Sequence, residues 1–342
     1  MKNILIILTG WWLMTIAGCH TSAMQKPVVA AATDTNKLRP NQLWYDDKGE
    51  LINAHGGGII FSNNTYYWFG EKRGRIASQG VSLYSSADLY HWKNEGVVFS
   101  PDYKDTASDI SYGCVMERPK VIYNAATHKY VLWFHLELKG KGYSAARAAV
   151  AVSDAITGPY KYQHSFRPNG NMSRDMTLFV DDNGNAYQLY SSRENYDLRI
   201  TQLSADYLTA TTEDKMLFSN HREAPAMFRY NNKYYLVTSG CTGWAPNKAS
   251  VHEAASVWGP WTELPYNPME GPGADITFGA QSTYVLPIAG KTNRFIFMAD
   301  KWNPRNLQDS RYTWLPVQFN NNLPVVKWMD EWNLNFYDKH NQ

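Results

Sequence analysis

The sequence has few cysteines and no excess of charge of either sign. Its 342 residues include 3 Cys, and 33 Lys and Arg stand against 31 Asp and Glu, a formal net charge of +2. Like charges never form a long run, so neither the basic stripe of a nucleic-acid-binding protein nor the polybasic patch of a membrane-surface protein is indicated. Two cysteines, Cys114 and Cys241, follow the N-terminal region. A disulfide and two buried free thiols both fit them.

Several signatures of common enzyme chemistries are missing as well. We find no His and Cys set at metal-ligand spacing, no Gly-x-Ser-x-Gly elbow and no phosphate-binding loop. Gly56, Gly57 and Gly58 form a glycine run, but neither a helical pattern nor a Lys-Ser/Thr pair follows it. We therefore expect no metal and no cofactor. The glycines are better explained by a close approach of the backbone to its neighbours.

Aromatic residues, by contrast, are abundant. The chain has 13 Trp, 23 Tyr and 13 Phe, which make up 14% of its residues, whereas charged residues make up 19%. This composition excludes a disordered chain and favours β-structure, in which aromatic side chains pack across strands. Core packing accounts for most of these rings, and some are available to stack on sugars.

The N-terminus predicts export and a lipid anchor. A short basic start is followed by an apolar run from Ile4 to Ile16, which is too short to span a bilayer. The run ends in the tetrapeptide Ile16–Cys19, which resembles the bacterial lipobox, and this resemblance implies that Cys19 is lipidated after cleavage. We predict a signal peptide over residues 1–18, a lipid-anchored flexible tether over 19–37, and a location in the bacterial cell envelope, periplasmic or at the cell surface.

A two-strand pattern recurs five times in the remaining chain. Each copy has a polar residue, a short apolar run, a turn, and an aromatic-rich alternating run, which is typical of a β-hairpin. The polar lead residues are His55, Glu117, Asp175, Glu223 and Gln281, spaced 62, 58, 48 and 58 positions apart. A second pattern follows most hairpins, so each unit supplies about four strands. The sequence thus predicts an all-β fold, a five-bladed β-propeller over residues 38–342.

The lead residues are the first candidates for a functional site. The innermost strands of a propeller run beside its axis, so equivalent positions at one end of them converge at one mouth of the channel. Each acid taken alone could simply pair with a neighbouring arginine such as Arg118, Arg174 or Arg222. Three acids in register, however, raise one another's pKa, as general acid catalysis at neutral pH requires. Acids around an aromatic-rich cleft indicate glycoside hydrolysis.

A group of motifs resembles glycoside hydrolase family 43, and within it the branch containing galactan 1,3-β-galactosidases. The motifs are Ala54–Gly58, Tyr66–Glu71, Glu117–Val121, Ser173–Met176, Glu223–Phe228, Ser239–Trp244, Trp302–Pro304 and Asp309–Arg311. The resemblance covers nearly the whole chain after the tether. It implies a five-bladed propeller that hydrolyses with inversion at the anomeric carbon, with Glu223 as general acid and Asp175 as the carboxylate that tunes and orients it.

This chain departs from the family pattern in the first blade. Most members carry an aspartate base in the first blade, where this chain has His55. The galactosidase branch shares this loss, and the resemblance to it implies that Gln281 or Glu117 activates the water. Either Gln281 reacts as its imidic tautomer, or it only positions the water and Glu117 takes the proton.

The same resemblance assigns binding roles. Glu71, Tyr143, Asn195 and Thr242 match branch positions that contact the terminal galactose. Further candidate binding residues are His55, Trp244, Trp302, Asp309 and Arg311. Trp244 or Trp302 would stack on a sugar face, whereas Asp309 and Arg311 could instead pair with each other.

The sequence therefore predicts an exo-acting β-1,3-galactosidase that binds galactan or arabinogalactan oligosaccharides. Two other functions remain open at this stage. One is another specificity of the same family, an α-L-arabinofuranosidase or a β-xylosidase. The other is a non-catalytic glycan-binding propeller, which the missing first-blade aspartate suggests and the acids Glu223 and Asp175 oppose.

Overall fold

The computed structural model describes residues 36–75 and 77–339, and strands dominate them. The predicted signal peptide, Cys19 and the tether up to residue 35 lie outside the described residues. The strands are β1 (His55–Ser62), β2 (Thr65–Arg73), β3 (Ser78–Ser86), β4 (Lys93–Phe99), β5 (Val115–Asn124), β6 (Lys129–Glu137), β7 (Arg147–Ser153), β8 (Lys161–Phe166), β9 (Met176–Val180), β10 (Ala186–Ser192), β11 (Asp197–Leu203), β12 (Ala210–Ser219), β13 (Arg222–Tyr230), β14 (Lys233–Gly240), β15 (Ser250–Ala254), β16 (Thr262–Glu263), β17 (Met269–Glu270), β18 (Gln281–Pro287), β19 (Phe295–Lys301), β20 (Arg311–Asn320) and β21 (Leu323–Lys327). The helical elements are α1 (Phe336–Lys339) and three 3-10 turns, Pro168–Gly170, Ala274–Gly279 and Leu307–Asp309.

These strands form five sheets that follow one another along the chain, and all strand pairs but one are antiparallel. Four sheets have four strands each, β1 to β4, β5 to β8, β9 to β12 and β13 to β16, and the fifth has the order β17-β21-β20-β19-β18, in which β17 runs parallel to β21. The inner strands β1, β5, β9, β13 and β18 contact one another in a closed ring. The five-bladed propeller predicted from the repeat is confirmed. No helix in the described part of the chain is long and apolar enough to cross a membrane.

A β-bulge follows the lead residue in most blades. The strand register shifts after His55, after Glu117 and after Glu223, and a similar shift follows Ser282 in the fifth blade. The residue after the lead has a positive φ in three blades, at Gly56, Arg118 and Ala224. A left-handed residue in a bulge bends the strand and re-aims the neighbouring side chain. The bulge therefore affects the direction of the lead side chain in these three blades.

The glycine run of β1 lies where the backbone is most crowded. A Cβ on Gly57 would come within 1.9 Å of the Phe69 carbonyl oxygen, and one on Gly58 within 2.7 Å of the Lys120 side chain. Only glycine fits at Gly57. The run packs against β2 and β5 rather than forming a loop for a phosphate.

The first and last blades close the ring through a buried aromatic cluster. Trp68 and Trp314 are fully buried, with ring centroids 4.6 Å apart. The Tyr312 hydroxyl accepts the Ala54 N–H at 2.9 Å and donates to the Ile52 carbonyl at 2.9 Å. Because these bonds join blades at opposite ends of the chain, they hold the ring shut. Most of the abundant aromatic residues serve this kind of packing.

Candidate active site

A cavity of about 260 Å³ lies where the inner strands begin. Four of the five lead residues line it, namely Glu117, Asp175, Glu223 and Gln281. The predicted binding residues that also line it are Glu71, Tyr143, Asn195, Trp244 and Trp302. The structure thus brings together nine of the predicted site residues, which the chain separates by up to about 230 positions.

Glu223 is a buried carboxyl held by two side-chain amides. Its Oε1 accepts the Gln281 Nε2 amide at 2.8 Å, and its Oε2 accepts the Asn195 Nδ2 amide at 3.0 Å. Burial, reinforced by the negative charge of Asp175, raises the pKa of Glu223 to about 8. A carboxyl that keeps its proton at neutral pH is suited to general acid catalysis.

Arg118 links the second, third and fifth blades beneath this carboxyl. Its Nη2 lies 2.9 Å from Asp175 Oδ2 and also bonds the Gln281 Oε1 atom, while its Nη1 donates to the Ser282 carbonyl at 2.8 Å. Trp302 Nε1 donates to the same Gln281 oxygen at 3.0 Å. The Gln281 oxygen therefore accepts two hydrogen bonds and its nitrogen donates one to Glu223, which fixes the orientation of the amide.

Glu71 and Arg73 lie on β2, two residues apart, and both point into the cavity because side chains alternate along a strand. Arg73 Nε lies 2.9 Å from Glu71 Oε2, and its Nη2 lies 3.0 Å from Glu117 Oε1. Ser78 donates to Glu71 Oε1 at 2.9 Å. Burial raises the pKa of Glu71 to about 8, with the Arg73 charge opposing and the Glu117 charge adding to the rise.

Glu117 lies at the end of a buried carboxylate–imidazole–carboxylate chain. His135 Nδ1 is 3.1 Å from Glu117 Oε2, and its Nε2 is 2.8 Å from Glu137 Oε1. The other Glu137 oxygen accepts the N–H groups of Ala145 and Ala146 at 2.9 and 3.0 Å. Although burial opposes a charge on the ring, the hydrogen bonds to both carboxylates raise the pKa of His135 to about 9.

The neighbours of Glu117 keep its carboxyl group ionised. Burial alone would raise its pKa, but the hydrogen bond from His135 and the charge of Arg73 outweigh it and hold the pKa of Glu117 well below its usual range. Tyr143 donates a further hydrogen bond to Glu117 Oε1 at 2.7 Å. Glu117 and Glu223 consequently have opposite protonation states at neutral pH, although both are buried acids of one cavity.

Two tryptophans form one rim of the cavity. The rings of Trp244 and Trp302 meet edge to face with centroids 5.6 Å apart, and Trp244 is 42% exposed. The Arg73 guanidinium lies 5.9 Å from the Trp244 centroid and 5.3 Å from that of Trp302. An aromatic wall beside a group of carboxyls is typical of sugar-binding clefts, since the ring stacks on C–H groups while the acids reach hydroxyls.

His55, predicted to complete the ring of five lead residues, does not line the cavity. It is fully buried, its ring stacks on Tyr312 with centroids 5.2 Å apart, and its Nδ1 is 3.5 Å from Asp300 Oδ1. Burial lowers the pKa of His55, despite the nearby carboxylate of Asp300. The first-blade side chain therefore packs against the fifth blade, behind the site.

Three further predicted binding residues also lie off the cavity wall. Thr242 is exposed, and its hydroxyl donates to the Ala245 carbonyl at 2.6 Å within its own loop. Asp309 Oδ1 lies 2.7 Å from Arg311 Nη1, the mutual pairing that the sequence left open for these two residues. Each side chain is occupied by a local partner, which keeps it away from the cavity.

Sequence reasoning missed four cavity residues with ionisable side chains, Arg73, Arg118, His135 and Arg174. Arg118 and Arg174 were considered only as partners of neighbouring acids. A usable signal existed for the other two. Arg73 shares a strand face with Glu71, and His135 pairs directly with Glu117 in the β5–β6 register.

The part of the chain that the structure describes contains two cysteines and one group of potential metal ligands. Cys114 and Cys241 are both free, so the disulfide alternative is not realised. Ligand atoms of Glu117, His135 and Asp175 lie within 4.8 Å of one another. However, Glu117 and His135 already bond each other and Asp175 pairs with Arg118, so these groups satisfy one another.

Comparison with known proteins places this geometry in a family. A solved β-1,3-galactosidase of family GH43, bound to galactodeoxynojirimycin, is 46% identical, with a TM-score of 0.85 over 87% of this chain and 100% of that one. The exo-β-1,3-galactanase of Phanerochaete chrysosporium, solved with β-1,3-galactotriose, is 36% identical with a TM-score of 0.81, over 88% of this chain and 69% of that one.

A curated relative is more distant. A xylan 1,3-β-xylosidase of a Vibrio species is 22% identical over 225 residues, which is 63% of this chain but only 40% of the length of that protein. Residues 57–285, which contain three of the five inner strands in full and most of the other two, match Glycosyl hydrolases family 43. The acidic cavity, the five-bladed ring and these matches agree, and the chain belongs to glycosyl hydrolases family 43.

Proposed function

We propose that the protein is an exo-acting, inverting β-1,3-galactosidase that releases galactose from β-1,3-galactan, including arabinogalactan-type chains. The observation that carries the proposal is the placement of two buried acids with different partners in one aromatic-rimmed cavity. Glu223 is held by two side-chain amides, whereas Glu117 lies against Arg73 and His135. The substrate assignment is supported by the β-1,3-galactosidase and the exo-β-1,3-galactanase, which resemble this chain over most of its length.

In this mechanism Glu223 protonates the glycosidic oxygen as the bond to the anomeric carbon breaks. Asp175 keeps the proton on Glu223 by its charge, and the Gln281 and Asn195 amides fix the carboxyl in direction. A water attacks the anomeric carbon from the opposite face of the sugar, which inverts its configuration. The distances around Glu223 are those of a preorganised donor.

Water positioning falls to Gln281 in this proposal, and the water's proton goes to Glu117. The Gln281 oxygen already accepts hydrogen bonds from Arg118 and Trp302, which favours the ordinary amide over the imidic tautomer. Its second amide hydrogen remains to orient a water. Glu117 is ionised at neutral pH, as a proton acceptor must be, although its low pKa makes it a weak base.

Product analysis by NMR on β-1,3-galactan tests the proposal directly. We expect galactose as the sole early product, with the α-anomer appearing first. Early β-galactose would indicate retention, and early oligosaccharides would indicate endo cleavage. A panel of nitrophenyl glycosides separates the galactosidase from an arabinofuranosidase or xylosidase. Binding without turnover over long incubation would establish the non-catalytic alternative.

We also propose that the enzyme is tethered to the bacterial cell envelope by a lipid on Cys19. The support is the tetrapeptide Ile16–Cys19 and the apolar run before it. A flexible tether over residues 19–37 would join the lipid to the propeller.

A further inference from the structure

A second concavity, of about 650 Å³, adjoins the active-site cavity. Trp244 and Trp302 line both, so the two tryptophans form their common wall. Other lining residues include Pro246, Ile276, Pro304 and Trp328. We call this concavity the tryptophan–proline groove. It is built mainly from the β14–β15, β17–β18 and β19–β20 connections, and the first and last of these also carry residues of the cavity mouth.

The chemistry of the groove differs from that of the cavity. No carboxylate lines it among the described residues, and Lys301 is its one ionisable side chain there. Ile276 is 40% exposed and Trp244 42% exposed, and Pro246 and Pro304 are exposed beside them. Exposed rings and prolines grouped around a concavity mark a binding surface rather than a site of proton transfer.

The floor of the groove is held rigidly. Thr277 and Phe278 both have a positive φ, of 53° and 60°. The buried Thr277 hydroxyl donates to the Asn247 carbonyl at 2.7 Å and accepts the Ala249 N–H at 2.9 Å. Two consecutive left-handed residues that are not glycine persist only where surrounding contacts impose them. These bonds join the two loops that border the groove, so a ligand would find it already formed.

The position of Trp328 is also fixed. Its Nε1 donates to Asp330 Oδ1 at 2.8 Å, and its ring centroid lies 5.2 Å from that of Phe278. The ring is half-buried, so part of it lies open along the groove. A fixed, half-open indole loses little freedom when a flat ligand stacks on it.

We propose that the tryptophan–proline groove binds the leaving-group part of the galactan chain, beyond the sugars next to the cleaved bond. This inference rests on the proposed function. An exo-acting enzyme holds only the terminal sugar in its cavity, so the rest of a long chain must leave over the rim. Trp302 and Trp244 are that rim on the side of the groove. Galactosyl units present apolar C–H faces, which suit indole and proline surfaces, and they carry no charge, which suits a lining without acids.

Chain-length dependence of the rate tests this proposal. For the unaltered enzyme we expect kcat/KM to rise from β-1,3-galactobiose to longer galacto-oligosaccharides. In Trp328→Ala the value for long chains should fall roughly three- to tenfold, the effect of losing one aromatic stacking contact. The value for galactobiose should stay unchanged. Ile276→Ala, at an exposed position, should show the same pattern with a smaller amplitude and guards against a folding defect in Trp328→Ala.

The matched control is Tyr123→Ala, which removes a 40% exposed ring near the far end of β5 from the cavity and should leave both rates unchanged. Groove variants that retain the full chain-length dependence would overturn the inference. So would a dimer that dissociates in Trp328→Ala without any change in chain-length dependence, because the groove would then bind a second copy. Failure of the unaltered enzyme to cleave galactobiose would instead reject the proposed function itself.

Discussion

At Glu223, two physical effects act in the same direction. Burial disfavours a charge on the carboxyl, and the nearby charge of Asp175 disfavours it further, so the proton is retained at neutral pH. At Glu117 the neighbours are instead Arg73 and Tyr143, which donate hydrogen bonds to the carboxylate, and His135, which forms an ion pair with it. Opposite protonation states thus arise from neighbours rather than from residue type.

Glu223 is the proposed proton donor. Glu223→Gln keeps the shape and removes the proton, so activity on unactivated galactan should fall by about 10²- to 10⁴-fold. Circular dichroism should show an unchanged fold. The matched control is Glu253→Gln in the same blade, whose carboxylate pairs with Lys233 away from the cavity. A Glu223→Gln enzyme within about threefold of the unaltered one would reject the assignment.

The pH profile follows from the same carboxyl. Glu223 acts in its protonated form and its pKa is about 8, so kcat/KM should decline as the pH rises through about 8. Asp175→Asn removes the charge that raises this pKa and releases Arg118, whose positive charge lowers it. The alkaline limb should therefore move to lower pH, as measured between about pH 5 and 10.

Asp197→Asn, which lies in the same third blade as Asp175 but is paired with Arg193, is the control for that shift. Its alkaline limb should coincide with that of the unaltered enzyme. An alkaline limb in Asp175→Asn that stays in place or moves upward would contradict the role given to Asp175.

Substitution of Gln281 is expected to have the most specific kinetic effect. If it positions the attacking water, Gln281→Ala should lower kcat far more than it raises KM, and added azide should restore part of the turnover. Asn195→Ala is a matched control, since it removes the other amide that donates to Glu223, and azide should not rescue it. An increase in KM alone, without azide rescue, would contradict water positioning by Gln281. Azide rescue would then be expected in Glu117→Ala.

At the scale of strands and blades, the closed ring of inner strands explains why lead residues meet. The bulge directs the lead side chains of the second and fourth blades toward the axis, whereas in the first blade His55 turns to the fifth blade. Closure of the ring depends on that same contact region. Tyr312 joins the backbone of Ala54 and Ile52 to the last blade through a buried hydroxyl.

Removal of this hydroxyl tests the closure. Tyr312→Phe leaves a buried N–H and a buried carbonyl without their partner, so the free energy of unfolding should fall by about 1–3 kcal/mol. Urea denaturation measures the change. Tyr123→Phe, whose exposed hydroxyl contacts His128 at 3.1 Å, should change the same quantity by less than about 0.5 kcal/mol. Equal midpoints for the two variants would show that closure does not depend on Tyr312.

At the scale of the whole molecule, we propose separate tasks for the propeller and the N-terminal region. The propeller supplies the cavity and the groove, and the region before it is predicted to supply the anchor. Neither Cys114 nor Cys241 is bridged, so a reducing agent has no disulfide to open within the described chain.

The anchor is tested by Cys19→Ser expressed in a bacterial host. The unaltered protein should incorporate labelled palmitate and sediment with membranes. The Cys19→Ser variant, which lacks the thiol that receives the lipid, should do neither, while a Cys114→Ser variant should behave like the unaltered protein. Label retained after Cys19→Ser would refute the lipoprotein assignment.

Much of this molecule was predictable because its pattern repeats. The alternation of the hairpins, the regular spacing of Glu117, Asp175 and Glu223, and the family motifs indicated the fold class and the family without coordinates. Strand alternation and turn chemistry depend on residues that are close in sequence, so they can be identified from the sequence alone. The expected meeting of lead residues at one mouth followed from the geometry of any propeller.

Only the tertiary structure decided which acid keeps its proton and which side chains reach the cavity. The pKa of Glu117 depends on Arg73 and His135, which come from other strands, and its low value results from contacts that spacing does not reveal. His55 shares the lead position but packs against Tyr312, because a partner from the other end of the chain lies there. Burial and charge pairing are properties of neighbours in space, and the sequence specifies those neighbours only through the completed fold.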